Sequence, residues 1–457
     1  MTERVRTGLL VTVWLGQLVS LIGSSLTGFV LGVWAYQETG SVTQFALIFL
    51  ASTLPAVLVA PFAGVLADRY DRRRLMLLSD AGAAIGTAAL MLLVTAGDLR
   101  IWHIWLATGL SAACSAIHNV AYQSMTPALV GRKHLARFNG LAQISRAVQI
   151  AAPLVAGALW VAVGIDGVLL IDLGTFAVAA LTLLLVPLPA EVTRPMAGRS
   201  AARGSVLREA AAGWRYLRQR NGLFGLIVLF GAFNFLFGIA GVLVQPLILS
   251  FTTPDTLGML MFAGGAGLFA GSIVMGAWGG PATRIHAVFA GLVLGGIALI
   301  GHAPAPSPWL IGVMAPLFLF TLPIVNSATM TLLQTKTEPS VLGRVLATAR
   351  VLGEASAPLA YVLAGPLADG VFEPMLRPDG ALAGSVGRII GTGTGRGTAL
   401  IFAVAGVLMV LLVVAAYAYR PLRHVDRLPD ALADPVAAAP QPVPAESADA
   451  AVESARG

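Results

Sequence analysis

Gly64-Val-Leu-Ala-Asp68-Arg69-Tyr70-Asp71-Arg72-Arg73-Arg74 stands between two apolar blocks, Val42–Leu66 and Arg74–Thr95. Each block is long enough to cross a bilayer, whose hydrocarbon core of about 30 Å takes roughly 20 helical residues. The stretch therefore reads as a tight polar turn between two membrane spans. Its arginines are what a turn on the positively biased side of a membrane collects. Gly64 and Asp68 need a further reason. Gly64 lets a neighbouring helix pack closely at the end of span two. Asp68, one turn further along the same face, can meet the positive N-terminal end of another helix, with Arg69 beside it as countercharge.

Working outward, further blocks of the same kind precede and follow. Leu9–Tyr36, Ile101–Met125, Phe138–Val163 and Gly167–Val186 complete a first group of six. Leu223–Ser250, Leu257–Trp278, Ile285–Ile300, Pro308–Leu333, Val341–Ala368 and Thr398–Tyr419 form a second six. Composition agrees: 57% of the residues are hydrophobic, only 11% are charged, and the mean hydropathy is +0.83. A soluble domain carries about 25% charge, so the expected fold class is an all-α membrane protein of twelve transmembrane helices in two six-helix halves. The run from Leu9 has no small-residue cleavage site behind it and reads as a retained first span.

The expected organisation is a first half over residues 1–188 and a central loop over 189–221. A second half follows over 222–420, then a disordered tail over 421–457. Within the central loop, Ser205–Arg220 places Val206, Leu207, Ala210, Trp214 and Leu217 on one helical face, the pattern of an amphipathic helix at a membrane surface. The outer loop Phe372–Gly397, with Gly391, Gly393, Gly395 and Gly397, reads as flexible. No Lys-Ser/Thr follows those glycines and no strand precedes them, so they are not a phosphate cradle.

Lysine and arginine set the orientation. With the N-terminus in the cytoplasm, 22 of the 29 fall on the inner side, seven of them in the central loop, and four (Arg100, Arg377, Arg388, Arg396) on the outer. Both termini are therefore expected in the cytoplasm of a multi-pass protein of the inner membrane. The net charge of +7 is this bias and not a nucleic-acid surface. Cys114 is the sole cysteine, which excludes an internal disulfide framework. No Walker motif occurs, so no cofactor and no ATP are expected; uphill work would draw on an ion gradient.

The G-x-x-x-D-R-x-x-R-R turn resembles the signature loop of the major facilitator superfamily. Trp14-x-Gly16-Gln17-x-x-Ser20-Leu21-x-Gly23-Ser24 and Thr39-Gly40-Ser41 are similar to the macrolide-efflux and enterobactin-exporter-like members. So are Pro127-Ala-Leu-Val130, Leu135-Ala136-Arg137-x-Asn139-Gly140 and Gly343-Arg344-Val345. The resemblance covers residues 8 to 420. It implies two six-helix halves around a central cavity that open alternately to either side. It also implies a gating motif of Gly64, Asp68, Arg69, Arg72 and Arg73, whose acid and arginine lock the outward-open state. Antiporters of the family carry a helix-bending glycine-rich motif in span five. Here Pro153 and Gly157 supply the bend, while Ala152 stands where the family has a glycine. Two weak internal repeats accompany it: Gly64–Asp68 matches Gly276–Gly280 in position, and Ala152-Pro153 with Gly157 echoes Ala357-Pro358 with Gly365.

Charges inside spans cost about 2.5–3.5 kcal/mol each on insertion scales, so each invites a functional reading. Arg350 and Glu354, four apart on one helix face, are either a structural pair or a proton-coupling site. Arg146 has no local partner and either faces the cavity or reaches a distant carboxylate. Asp80 and Asp172 are read as helix-end acids, and His118 with Asn119 as a polar contact within span four. Gln17, Ser24, Asn234, Gln245 and Asn326 are candidate groups for a substrate cavity. The expected function is proton-driven export of small amphipathic compounds: drugs, macrolide-like metabolites or siderophores. Its partners would be the small-molecule substrate, protons and the lipid bilayer. An importer or lipid flippase on the same fold, a membrane enzyme acting on lipid-linked substrates, or a receptor remain the alternatives. Dispersed histidines and the absence of a clustered acidic loop weigh against the enzyme, and metal ligation is not expected.

Overall fold

The computed structural model describes residues 3–130, 135–187, 206–281 and 283–430. The helices of fourteen residues or more follow the apolar blocks, with one more in the central loop. They are α1 (Glu3–Thr39), α2 (Val42–Arg69), α3 (Arg72–Thr95), α4 (Ile101–Val130) and α5 (Leu135–Leu185). After them come α6 (Val206–Gln219), α7 (Asn221–Leu249), α8 (Pro254–Trp278), α9 (Arg284–Ile300), α10 (Pro308–Lys336), α11 (Pro339–Leu367) and α12 (Arg396–Ala418).

Among the described residues, ten helices are long and apolar enough to span a membrane. Two further facts are consistent with a count of twelve. The long α5 breaks at Gly164, whose φ of 65° and ψ of −172° are not helical, so it is two spans (135–163 and 165–185) folded back on one another. A positive φ is open to glycine and rare for other residues, which is why the turn falls there. The second fact is α9, an apolar helix of 17 residues.

Each half is a bundle. In the first, α1 packs along α5, α2 along α4, and α3 against both α4 and α5; in the second, α8 packs along α10, α9 along α10 and α12, and α7 along α11. Among the described residues, packing between the halves runs through two major seams, α5 with α8 and α2 with α11. α6 is helical as expected, and it is anchored rather than merely lying on a surface. Leu217 is fully buried, Gly213 sits against the Arg344 carbonyl of α11, and Trp214 meets Phe224 edge-on at 5.3 Å.

Two loop expectations change. Residues 421–430, expected as the start of a disordered tail, are packed. Asp426 accepts from the amides of Arg284 (3.2 Å) and Ile285 (3.0 Å) at the start of α9. Lys336 Nζ donates to the carbonyls of Asp426 and Leu428 and pairs with Asp430. Residues 431–457 and 188–205 lie outside the described residues. The segment before α12 is also held: Glu373 accepts from the Gly395 and Gly397 amides, and buried Arg396 donates to the carbonyls of Ala303 and Ile390. A helix N-terminus needs such acceptors for its free amides, and the acids that supply them come from distant sequence.

Candidate functional site

The two seams place the functional surfaces. Along α5 and α8 the backbones nearly touch: a Cβ on Gly157 would lie 2.7 Å from the Pro254 carbonyl, and one on Gly258 would lie 2.5 Å from that of Pro153. Along α2 and α11 a Cβ on Gly365 would lie 2.5 Å from the Thr43 Cα. One and a half turns deeper, Phe49 and Tyr361 meet edge to face at 5.7 Å. Small residues permit such approach where no hydrophobic force separates helix from lipid. The two echoing sequence segments therefore share a job, since Gly157 and Gly365 each carry their half onto the other. φ and ψ stay helical through Pro153 and Gly157; the one non-helical residue of α5 is Gly164.

These contacts run from mid-helix to the end of the bundle that carries Ser41 and Asp369. The signature turn lies at the opposite end. There Asp68 and Arg69 close α2 and are exposed, and Gly64 is half-buried. Asp71 caps α3 by accepting from the Arg74 amide at 3.0 Å. Arg72 is 2% exposed, and Arg73 donates to the Leu184 carbonyl at the close of α5. Arg73 thereby binds the turn to its own half. The side chains of Arg146, Arg350 and Glu354 lie outside the described residues.

The neutral candidates do not converge on one site. Ser24 donates to Asp172 at 3.3 Å and Asn234 donates to the Phe230 carbonyl of its own helix at 2.8 Å. Both are thus already engaged. Gln245 faces Gly32 of α1, and Asn326 is exposed. Gln17 keeps a buried Nε2 with no hydrogen-bond partner among the described residues.

Two polar sites depart from the sequence reading. Asp172 is 1% exposed and takes hydroxyl donors from Ser24 of α1, Thr87 of α3 (3.3 Å) and Thr175 (3.5 Å). It is an interior tie among three helices and not a hydrated helix end. Asp80 is likewise buried and pairs with His118 Nδ1 at 2.8 Å across α3 and α4, while Asn119 is exposed. Hydropathy alone could not reveal these partners, because a lone acid near a block boundary looks the same whether it faces water or a hydroxyl cluster.

An apolar cavity of about 190 Å³ opens within the second half, between α7, α8, α10 and α12. Phe237, Leu260, Phe318 and Phe402 shape its wall, and His302, stacked on Phe402 at 5.1 Å, is the ionisable group there. No cluster of metal-ligating side chains occurs among the described residues.

Two six-helix halves that meet along two seams, with a charged turn at the far end, define a polytopic membrane transporter. The chain belongs to the Major Facilitator Superfamily, whose family model matches residues 13–361. It is similar to macrolide efflux protein A of Streptococcus pyogenes, 25% identical over 365 residues, covering 79% of this chain and 89% of that protein. It also resembles the enterobactin exporter EntS of Citrobacter koseri, 29% identical over 73% of this chain and 79% of the relative. Among solved structures, a bacterial homologue of the lysosomal transporter Spinster in an inward-facing, unoccupied conformation superposes with a TM-score of 0.66. Its identity is 17%, over 94% of this chain and 98% of that one. A bacterial homologue of ferroportin in an inward-facing state gives 0.65 at 16% identity, over 91% and 99%. The protein is a transporter and not an enzyme.

Proposed function

We propose that this transporter is a proton-coupled secondary-active exporter of small amphipathic compounds such as drugs, macrolide-like metabolites or siderophores. It works by alternating access in the inner membrane, with both termini and the Asp68 turn facing the cytoplasm. One observation carries the reading: the halves are clamped together at the Asp369 end, by contacts that a substrate leaving through that end would have to part. Similarity to two groups of relatives named as efflux proteins or exporters supports the direction. The 22-to-4 division of basic residues supports the orientation.

In this mechanism residues 1–188 and 222–420 rock as two bodies joined by residues 189–221. When the cytoplasmic side closes, Asp68 meets the N-terminus of a helix of the other half and Arg69 balances its charge. The apolar wall around Phe237, Phe318 and Phe402 receives the greasy part of a ligand, and Gln17, with its buried Nε2, is the candidate for a polar contact. Glu354, with Arg350 or Arg146 as charge partner, carries the proton.

Purified protein in liposomes, tested against a panel of macrolides, siderophores and amphipathic dyes, decides the matter. The expected result is uphill movement of at least one class, driven by a pH gradient and abolished by a protonophore. Movement indifferent to the gradient would refute the coupling, and no movement of any amphipathic compound would refute the substrate class. Glu354→Gln should remove the gradient dependence; a variant that keeps it takes Glu354 off the proton path.

A further inference from the structure

At the closed end the Asp369 carboxylate joins the halves. Asp369 follows α11 in the π-helical turn Ala368–Phe372. Its Oδ2 accepts from Ser41 Oγ at 2.7 Å and from the Thr43 amide at 2.8 Å, and its Oδ1 accepts from the Val42 amide at 3.1 Å. These are among the first amides of α2, which have no partner inside their own helix. They also sit at the positive end of the helix dipole, where an anion is favoured. Ser41 is the N-cap and accepts from Gln44 N at 3.2 Å, so hydroxyl and carboxylate share the exposed donors of one helix start.

Three features show that this contact belongs to a movable joint. First, donor and acceptor lie in opposite halves, so the bond exists only while the halves are together at this end. Second, the adjoining Gly365 lets the two backbones approach to contact, and any separation of α2 from α11 must pull Asp369 away. Third, among the described residues Asp369 forms no ion pair with a lysine or arginine; its partners are neutral dipoles, which water can replace when the end opens. The layout also answers that of the signature turn. α2 and α11 run side by side in opposite directions, and each closes on an aspartate, Asp68 for one and Asp369 for the other.

We propose that Asp369 is a second gating residue of the transport cycle: a latch that holds the Asp369 end shut by capping α2, and whose release precedes opening at that end. It is a positioning residue that acts through the helix start and touches no substrate. The inference deepens the alternating-access reading and rests on it.

The test uses spin labels on the full-length protein in nanodiscs, in a Cys114→Ser background. One pair, Gln37→Cys with Arg377→Cys, reports the Asp369 end; a second, Tyr70→Cys with Gly343→Cys, reports the Asp68 end. Asp369→Ala and Asp369→Asn should move about a tenfold share of the population toward longer distances at the first pair, the worth of a helix cap. Distances at the second pair should shorten at the same time, and Asp369→Glu should restore much of the parent distribution. A role in general stability would loosen both ends together and would not be reciprocal. Should the alanine variant not be recovered folded, the asparagine variant, which keeps the side-chain volume, gives the same reading. Unchanged distances at the first pair in the recovered variants would overturn the proposal. Transport measured on the same samples separates the two claims: reciprocal distance changes without any transport by the parent protein would sink the export reading and leave the latch standing.

Discussion

The two ends of the α2–α11 pair present similar chemistry in opposite conditions. At one end Asp369 is engaged by a hydroxyl and two amides from the other half, with backbone packed on backbone at Gly365. At the other end Asp68 and Arg69 are exposed at the close of α2, and Arg73 is tied to its own half through Leu184. The difference teaches that an acid at the end of a helix joins the halves only while the groups that donate to it lie on the other body. Asp426 makes the same kind of cap on α9, but it does so within one half, and there it is a brace.

Breaking the seam itself should have the largest effect. Gly365→Val would drive a side chain into the Thr43 backbone, which cannot yield. Overpacking of that kind costs about 1–3 kcal/mol, enough to reduce efflux about tenfold or more. Protein amount in the membrane, measured alongside drug resistance in a pump-deficient host, should stay near the parent level. Asp68→Asn comes next. Loss of a charge at a helix start is worth roughly 0.3–2 kcal/mol, so transport should fall several-fold with expression intact; full efflux in that variant would detach Asp68 from gating.

Asp426→Ala sharpens the contrast from the other side. Removing a cap costs about 1 kcal/mol, so thermal unfolding in detergent should come a few degrees earlier. The distance distribution at the Asp369 end should not change, because both partners move together. The smallest effect is expected from Asn234→Ala. Its amide is spent on the Phe230 carbonyl of its own helix, and substrate affinity should stay within about twofold of the parent, as for most substitutions away from key contacts.

Much of the fold was legible. Block lengths gave the spans, and the glycine between Val163 and Gly167 that lets α5 turn back fell in the expected gap. The signature turn led to the family. What the chain order concealed was pairing across long separations. Ser41 and Asp369 are 328 residues apart, and nothing in the local pattern of either points to the other. The same holds for Asp172, whose hydroxyl partners lie on α1 and α3, and for Asp426, hidden in a stretch that composition assigned to a disordered tail. Hydropathy identifies which segments enter the membrane; it does not report which face of one meets which face of another. Ser24 and Asn234 show the converse, since a polar group on a span can be engaged by a neighbouring acid or by its own backbone.

The most direct measurement is to tie the closed end shut. Ser41→Cys with Asp369→Cys, in the Cys114→Ser background, places two sulfurs where the present hydroxyl and carboxylate are bonded at 2.7 Å. If transport requires the halves to part there, oxidation should stop substrate movement in liposomes and a reductant should restore it to the rate of the reduced protein. A cross-linked transporter that still moved substrate at the reduced rate would contradict the account.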